Sequence, residues 1–369
     1  MADEEQETGE ERPPEGKPNS NRWRRFSLRK WLLLLGGGAL FGALFFVWVQ
    51  LYAAARPHGE DEKARLVFIP SGSGFAGVKK ALVEARIIDD DIRFVILARL
   101  SGAAARMQAG EYLFPPELTH RQIIAKLAAG QVHYRPLTVP EGATTYQIAD
   151  LLADGFDYDR ELVLKRIRDP ELISSFGLAV PSLEGYLFPD TYHLTRGQSL
   201  DAVLAMMVER FERVYAEAVR RQAGKSSPAN GLSRHEIVIL ASIVEKETAL
   251  AEERPLVAAV FYNRLRDRMK LQADPTVIYG MANFAGNITR EDLLTPTPYN
   301  TYTVPGLPVG PIANPGRESL TAVLAPAKSD ALYFVAKNDG SNSHVFSRTL
   351  EEHNRAVHRY QRQGRTGEK

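Results

Sequence analysis

Residues 237–244 read Ile-Val-Ile-Leu-Ala-Ser-Ile-Val, apolar at every position but Ser242, and lead into Glu245-Lys246-Glu247-Thr248. Just before them stands Ser233-Arg234-His235-Glu236, a capping box in which the Ser hydroxyl and the Glu carboxylate can each satisfy an orphan amide of a helix start. The pattern predicts a helix buried on most sides that carries two acids at its end. Helical spacing separates those acids. Glu247 stacks on Val244, Ile243 and Leu240, whereas Glu245 stacks on Ser242, Ala241 and Val238, a smaller and more polar stripe. A carboxyl on a large apolar stripe is desolvated, which disfavours its charged form. A carboxyl kept protonated near neutral pH is what a general acid must be, and a glycosidic oxygen needs that proton as its bond breaks. Glu247 is the candidate general acid. The competing reading is a solvated helix end whose acids pair with Lys246 or Arg254.

Other polar groups cluster downstream. Leu271-Gln272-Ala273-Asp274-Pro275-Thr276 reads as a loop entering a helix, with Asp274 as cap and Pro275 at the first helical position. Residues 295–316 are dense in Pro, Gly, Tyr and Asn, and a long stretch of this kind inside a compact domain is often functional. Tyr299, Asn300 and Tyr302 there offer ring faces and hydrogen-bonding groups suited to sugars. The aromatic interruption from Ser182 to Tyr192 contains Glu184 and Asp190, and a core loop explains it as well as a binding loop does. A hairpin of 332–337 and 343–347 around Asn338-Asp339-Gly340 closes the chain, with His344 in a structural position. No phosphate-cradling Gly-rich loop and no His-x-x-x-His pair for zinc appear, and Gly72-Ser73-Gly74 is not the frame of a nucleophile elbow.

The elements that must position these residues follow from composition. The chain has 369 residues, a formal net charge of +1 and no cysteine. Disulfides and thiolate chemistry are excluded, and the near-neutral balance argues against a nucleic-acid partner. Residues 1–30 form a polar tail that ends in Arg22, Arg24, Arg25, Arg29 and Lys30, and they are expected to be disordered. The uncharged run 31–55 spans about 37 Å as a helix, enough for a hydrocarbon core of about 30 Å. The positive-inside rule then places the tail in the cytoplasm and the rest outside it. A linker occupies 56–64. In 65–155 a pattern occurs twice: Val67-Phe68-Ile69-Pro70-Ser71-Gly72 and Leu137-Thr138-Val139-Pro140-Glu141-Gly142, each a β-rich run closed by Pro-x-Gly and followed by an amphipathic helix. That stretch reads as a small α+β module, 156–360 as a mixed, mainly helical domain and 361–369 as a disordered end.

Several runs resemble one known family. Ala241–Thr248, Leu271–Gly280, Tyr299-Asn300-Thr301-Tyr302, Gly306-Leu307-Pro308 and Glu184–Thr191 look like the YceG-like endolytic murein transglycosylases, in the same order along the chain. The resemblance implies an α+β protein with a single N-terminal transmembrane helix, a LysM-like subdomain at 65–155 and a catalytic domain at 156–360. It implies cleavage of the N-acetylmuramic acid to N-acetylglucosamine bond within peptidoglycan strands, leaving 1,6-anhydro ends, without cofactor or metal. The family's catalytic glutamate maps to Glu247, and Gln272, Asp274, Tyr299, Asn300 and Tyr302, with Glu184 and Asp190, are the expected substrate contacts. The resemblance also implies an inner-membrane location and a role in ending strand growth beside cell-wall synthesis proteins. Two alternatives stand beside it: a muramidase-type hydrolase that uses Glu247 with Asp274 and water, and a non-enzymatic wall-binding scaffold.

Overall fold

The computed structural model describes residues 28–57, 63–281, 284 and 286–362. Most of the expected N-terminal tail, the middle of the linker and the last seven residues lie outside these. The chain divides into two compact units, 1–131 and 132–369.

The first unit begins with α1 (Leu28–Ala54), whose side chains are exposed along most of its length. Lys30–Ala54 is long and apolar enough to cross a membrane by length and composition. Its exposure is the reverse of a soluble core helix. Then follow β1 (Arg65–Ile69), α2 (Phe75–Glu84), α3 (Ile92–Leu100), β2 (Gly110–Phe114) and α4 (His120–Ala128). β1 and β2 pair antiparallel from Arg65↔Phe114 to Ile69↔Gly110. Val67, Ile69, Tyr112 and Phe114 are buried, as are Val78 and Leu82 of α2, which packs on β1, and Phe94 of α3. The last turn of α1 is fixed to this body, because the His120 ring nitrogen Nδ1 lies 3.0 Å and 2.9 Å from the carbonyls of Tyr52 and Ala55.

The second unit contains β3 (Arg135–Thr138), α5 (Thr145–Phe156), α6 (Arg160–Ile167), α7 (Pro170–Ser175), β4 (Thr191–Leu194), α8 (Leu200–Gln222), α9 (Arg234–Glu247), α10 (Arg254–Arg266), α11 (Asp274–Gly280), α12 (Arg290–Leu294), α13 (Arg317–Leu324), β5 (Tyr333–Ala336), β6 (His344–Ser347) and α14 (Leu350–Val357). The division between the compact units falls at 131, inside the stretch 65–155 that the sequence groups as one module. β3 takes β4 as its antiparallel partner, from Arg135↔Leu194 to Thr138↔Thr191, and the apolar face of α5 (Ile148, Ala149 and Leu152) enters the core of the second unit. The two copies of the strand-turn-helix pattern therefore belong to different bodies.

The axis of the second unit is α9. Its capping box forms as the sequence predicts, with the Ser233 amide donating to Glu236 at 2.7 Å and the Glu236 amide to the Ser233 hydroxyl at 3.3 Å. Every residue from Ile237 to Val244 is buried, packed among α10, α11 and α13. Ser242 is tolerated in this run because its hydroxyl donates to the Ile239 carbonyl and accepts the Ile312 amide. The loop from 295 to 316 has no helix or strand, yet Asn300, Thr301, Ile312, Ala313 and Asn314 are all buried within it. Gly185 (φ +87°) lets the Glu184–Tyr186 turn reach this layer, since a Cβ there would fall within 2.7 Å of Val238 and Pro311. The closing hairpin keeps its two strands, but its loop is longer than Asn338-Asp339-Gly340. Lys337 bonds to Ser343, so Asn338–Asn342 is the turn, with Asn338, Gly340 and Asn342 at positive φ.

Candidate active site

α9 delivers Glu245 and Glu247 to one end of the unit, and their surroundings differ sharply. The Glu245 side chain is 4 % exposed. It accepts from Arg254 at 3.0 Å and from the Gly316 amide at 2.8 Å. Arg254, itself buried, also faces Glu141 at 3.5 Å and Glu318 at 3.9 Å. Glu245 is thus a structural carboxylate at the start of α13. Of the competing reading, the pairing with Arg254 is present at this acid, but the solvation is not.

Glu247, the last residue of α9, has no hydrogen-bond or ion-pair partner among the described residues. It is partly exposed and lines two hollows. One, of about 360 Å³, has Glu141, Gly142, Lys246 and Arg254 on its wall. The other, of about 270 Å³, is bounded by Asn338, Asn342 and His344 of the closing hairpin. The carboxyl stands where the two share Thr248 and Ala249. Its pKa is pushed up to about 8, first by burial and next by the charge of Asp274, against a smaller opposing pull from Arg264. Its position at the negative end of the helix dipole acts in the same direction. The stripe argument holds for Glu247, because Val244, Ile243 and Leu240 are completely buried, but Ser242, Ala241 and Val238 are buried as deeply. Stripe size does not separate the two acids; the guanidinium at Glu245 does.

Asp274 is not the cap of α11. It occupies the first turn, the cap position is Ala273 without a side-chain bond, and the Asp274 carboxylate accepts from the Tyr302 hydroxyl at 2.6 Å. Burial and the neighbouring Asp274 and Glu247 raise the Tyr302 hydroxyl above its ordinary pKa, so Tyr302 stays a donor. Gln272 is exposed at φ +50°, with its amide donating to the Thr301 carbonyl at 3.3 Å. Thr276 and Thr301 share a hydroxyl bond of 2.8 Å that clamps α11 to the Tyr299–Thr303 turn. Glu247, Asp274 and Tyr302 form one electrostatically coupled group, with Gln272 on the loop that carries Asp274.

The remaining expected contacts lie elsewhere. Asn300 is fully buried; its amide nitrogen donates to the carbonyls of Asp292, Leu293 and Thr295, and its oxygen accepts the Tyr302 amide. It shapes the turn and has no donor left for a sugar. Asp190 pairs with Arg210 at 2.6 Å and caps its own neighbour Thr191. Glu184, 3 % exposed, receives hydrogen bonds from Thr145, Tyr279 and Asn314, and burial drives its pKa upward against them. Tyr299 stacks edge-on against Tyr279 in a different hollow. His344 is held by Glu253 at 2.7 Å, as a structural residue should be.

Two residues near Glu247 were passed over in the sequence. Glu141 reaches the groove from the Pro140-Glu141-Gly142 turn, where Gly142 (φ +73°) lies against Glu245 and Lys246. The signal for it was the difference between the two pattern copies, Ser71 in one and Glu141 in the other. Arg264, 8 % exposed in α10, donates to the carbonyls of Leu332 and Leu271 at 2.7 Å each and places a buried positive charge near Glu247. Nothing in its sequence context marks it.

Residues 67–359 match the profile of the YceG-like family. The chain is 34 % identical over 345 residues to the endolytic murein transglycosylase of Bacillus subtilis strain 168, covering 89 % of this chain and 91 % of that protein. It is 28 % identical over 361 residues to the endolytic murein transglycosylase of Streptococcus pneumoniae R6, covering 88 % of this chain but 63 % of that longer protein. A crystal structure of a yceG-like protein from Listeria monocytogenes aligns with a TM-score of 0.54 and 33 % identity, over 80 % of this chain and 99 % of the other.

Proposed function

The chain belongs to the YceG-like family, and on that premise we propose that it is an endolytic murein transglycosylase in which Glu247 is the single catalytic acid and base. The observation that carries the assignment is the contrast at the end of α9: Glu245 is neutralised by Arg254, while Glu247 has no ion-pair partner among the described residues and borders open space on two sides. A strand lying through both hollows has its glycosidic bond over the carboxyl at an internal position, which is the geometry an endolytic cut requires. Glu247 protonates the bridging oxygen as the C1–O bond breaks. The resulting carboxylate then takes the proton from the C6 hydroxyl of the muramic acid unit as that oxygen closes on C1. The first proton leaves on the hydroxyl of the departing sugar, the C6 proton restores the carboxyl, no water is consumed, and a 1,6-anhydro end results. Asp274, Tyr302 and Gln272 orient the sugar, with the Asp274 charge holding Glu247 protonated.

Mass spectrometry of strands cut by the full chain tests the reaction class. Anhydro ends are expected, whereas reducing ends would make the protein a two-carboxylate hydrolase with Asp274 as partner. A second expectation concerns pH. Asp274→Asn keeps an oxygen acceptor for Tyr302 but removes the negative charge, so the Glu247 pKa falls and the alkaline limb of kcat/KM moves to lower pH. The shift is expected to be below about one unit, because burial is the larger cause. An unmoved limb would separate Asp274 from the acid.

The β1–α2–α3–β2 body of the first unit is proposed as the LysM-like, glycan-binding module, ending at 131. α1 is proposed as the single membrane anchor in the inner membrane, with the basic tail cytoplasmic and the catalytic unit outside.

A further inference from the structure

A third hollow of the second unit lies at the opposite end of α9. It has a volume of about 340 Å³, and Tyr146, Arg168, Ser182, His235, Tyr279 and Tyr299 line it. His235 is the second residue of α9 and Glu247 the last, so at ~1.5 Å per residue they stand about 18 Å apart along the axis. The hollow is a place apart from the catalytic carboxyl, and its size falls in the range of small-ligand sites.

Its chemistry is selective. Tyr279 and Tyr299 meet edge-to-face at 4.8 Å, and Tyr146 is 43 % exposed. The Arg168 guanidinium lies over the Tyr146 ring at 5.3 Å and donates to its hydroxyl at 2.9 Å and to the Leu164 carbonyl at 3.3 Å. Guanidinium offers five donors in a fork that matches a carboxylate, yet no carboxylate among the described residues is within ion-pair distance of Arg168. The acid in the wall, Glu184, is engaged by Thr145, Tyr279 and Asn314. Aromatic faces with a polar rim accept a pyranose or a short peptide backbone, and the exposed Arg168 fork, with no carboxylate of the described residues in ion-pair distance, is matched by a ligand that carries one.

We propose that this hollow is a remote binding site for a carboxylate-bearing muramic acid unit of the strand being cut, with the tyrosines holding the unit and Arg168 its carboxylate. The proposal rests on the transglycosylase reading given above. The hollow is also tied to the groove wall. Tyr279 donates to Glu184, Asn314 donates to Glu184 and to Ala143, and the Gly142 amide donates to Asn314 beside the Glu141 turn. A strand seated here tightens the same network that lines the groove at Glu247, and anchoring at a fixed distance from the acid favours internal over terminal cuts.

The carboxylate has two sources, the lactyl ether or the stem peptide, and the test separates them. Binding is measured by calorimetry with the full chain carrying Glu247→Gln, using uncrosslinked strands with stems, strands stripped of stems by an amidase, and chitin oligosaccharides that lack both carboxylates. Arg168→Ala on this background is expected to weaken binding to stem-bearing strands at least tenfold and to leave chitin oligosaccharides unaffected. A parallel loss on stripped strands assigns the lactyl group, and a loss confined to stem-bearing strands assigns the stem. Ser182→Trp, which fills the hollow from another wall, is expected to reproduce the loss, and Arg168→Lys to restore part of it. Unchanged affinity for both kinds of strand in Arg168→Ala and Ser182→Trp would overturn the proposal. Its failure is distinct from that of the catalytic reading, which is judged by cleavage and its products and not by strand affinity.

Discussion

Replacing Glu247 with glutamine is expected to lower strand cleavage by about 10³-fold or more, since a positioned acid or base contributes 10²- to 10⁴-fold and one group serves both steps here. Strand affinity is expected to stay within about threefold, because the amide preserves shape and polarity. The comparison is single-turnover cleavage by the full-length wild type and variant on uncrosslinked glycan. Glu245→Gln is the control: a loss of equal size there, with the fold intact, would reassign the acid. The same substitution has a stability signature. The folded Glu247 carboxyl titrates at about 8, against 4.5 ordinarily. Below pH 4.5 it is protonated in both folded and unfolded chains and no penalty exists. As pH rises from there to 8, only the unfolded chain releases the proton, so wild-type stability declines through that window and levels off above it. At 1.36 kcal/mol per unit the penalty at pH 7 is on the order of 3 kcal/mol. Glu247→Gln removes it, so the variant is expected to melt at the same temperature as wild type near pH 4.5 and higher near pH 8. A constant difference across that range would mean that the carboxyl is solvated.

Local chemistry made α9 readable. The Ser233–Glu236 box, the apolar run and the two terminal acids are all neighbours in sequence, and each formed as its spacing requires. Features that depend on distant partners were not readable. β4 was seen only as an aromatic interruption, because its pairing with β3 joins residues more than fifty positions apart, and the same pairing ties β3 to the second compact unit. The Pro-rich stretch after α12 reads by composition as a long functional loop, with nothing to show how deeply it is buried. It is half-interior, with Asn300 and Asn314 satisfying backbone groups that have no ladder of their own. Asp274-Pro275 carried the signature of a helix start one residue too late, since Tyr302, supplied by that loop, draws the carboxylate away from the cap. At the site itself, the stripe beneath Glu247 is buried as the sequence requires, but so is the one beneath Glu245. What distinguishes Glu247 from Glu245 came from Arg254 and Gly316, neither of which the α9 sequence contains.

That distinction makes Arg254 the residue whose loss should harm the fold most. Its side chain is 7 % exposed and faces Glu245, Glu141 and Glu318, so it is the buried cation among three carboxylates. Removing one partner of a buried pair leaves the other charged and desolvated, at a cost of about 3–5 kcal/mol. Arg254→Met keeps most of the apolar stem, so the loss it reports is electrostatic rather than a cavity. Chemical unfolding at pH 7 is expected to show a destabilisation of that size, and cleavage is expected to fall as well because the Glu141 wall and the end of α9 lose their common anchor. Adding Glu245→Gln to Arg254→Met is expected to recover about half of the lost stability, since the amide still accepts the Gly316 hydrogen bond and no longer carries an unpaired charge. Equal stability of the single and double variants would mean that Arg254 acts through Glu141 and Glu318 alone. In that case the neutralisation of Glu245 could not be what sets it apart from the acid two residues on.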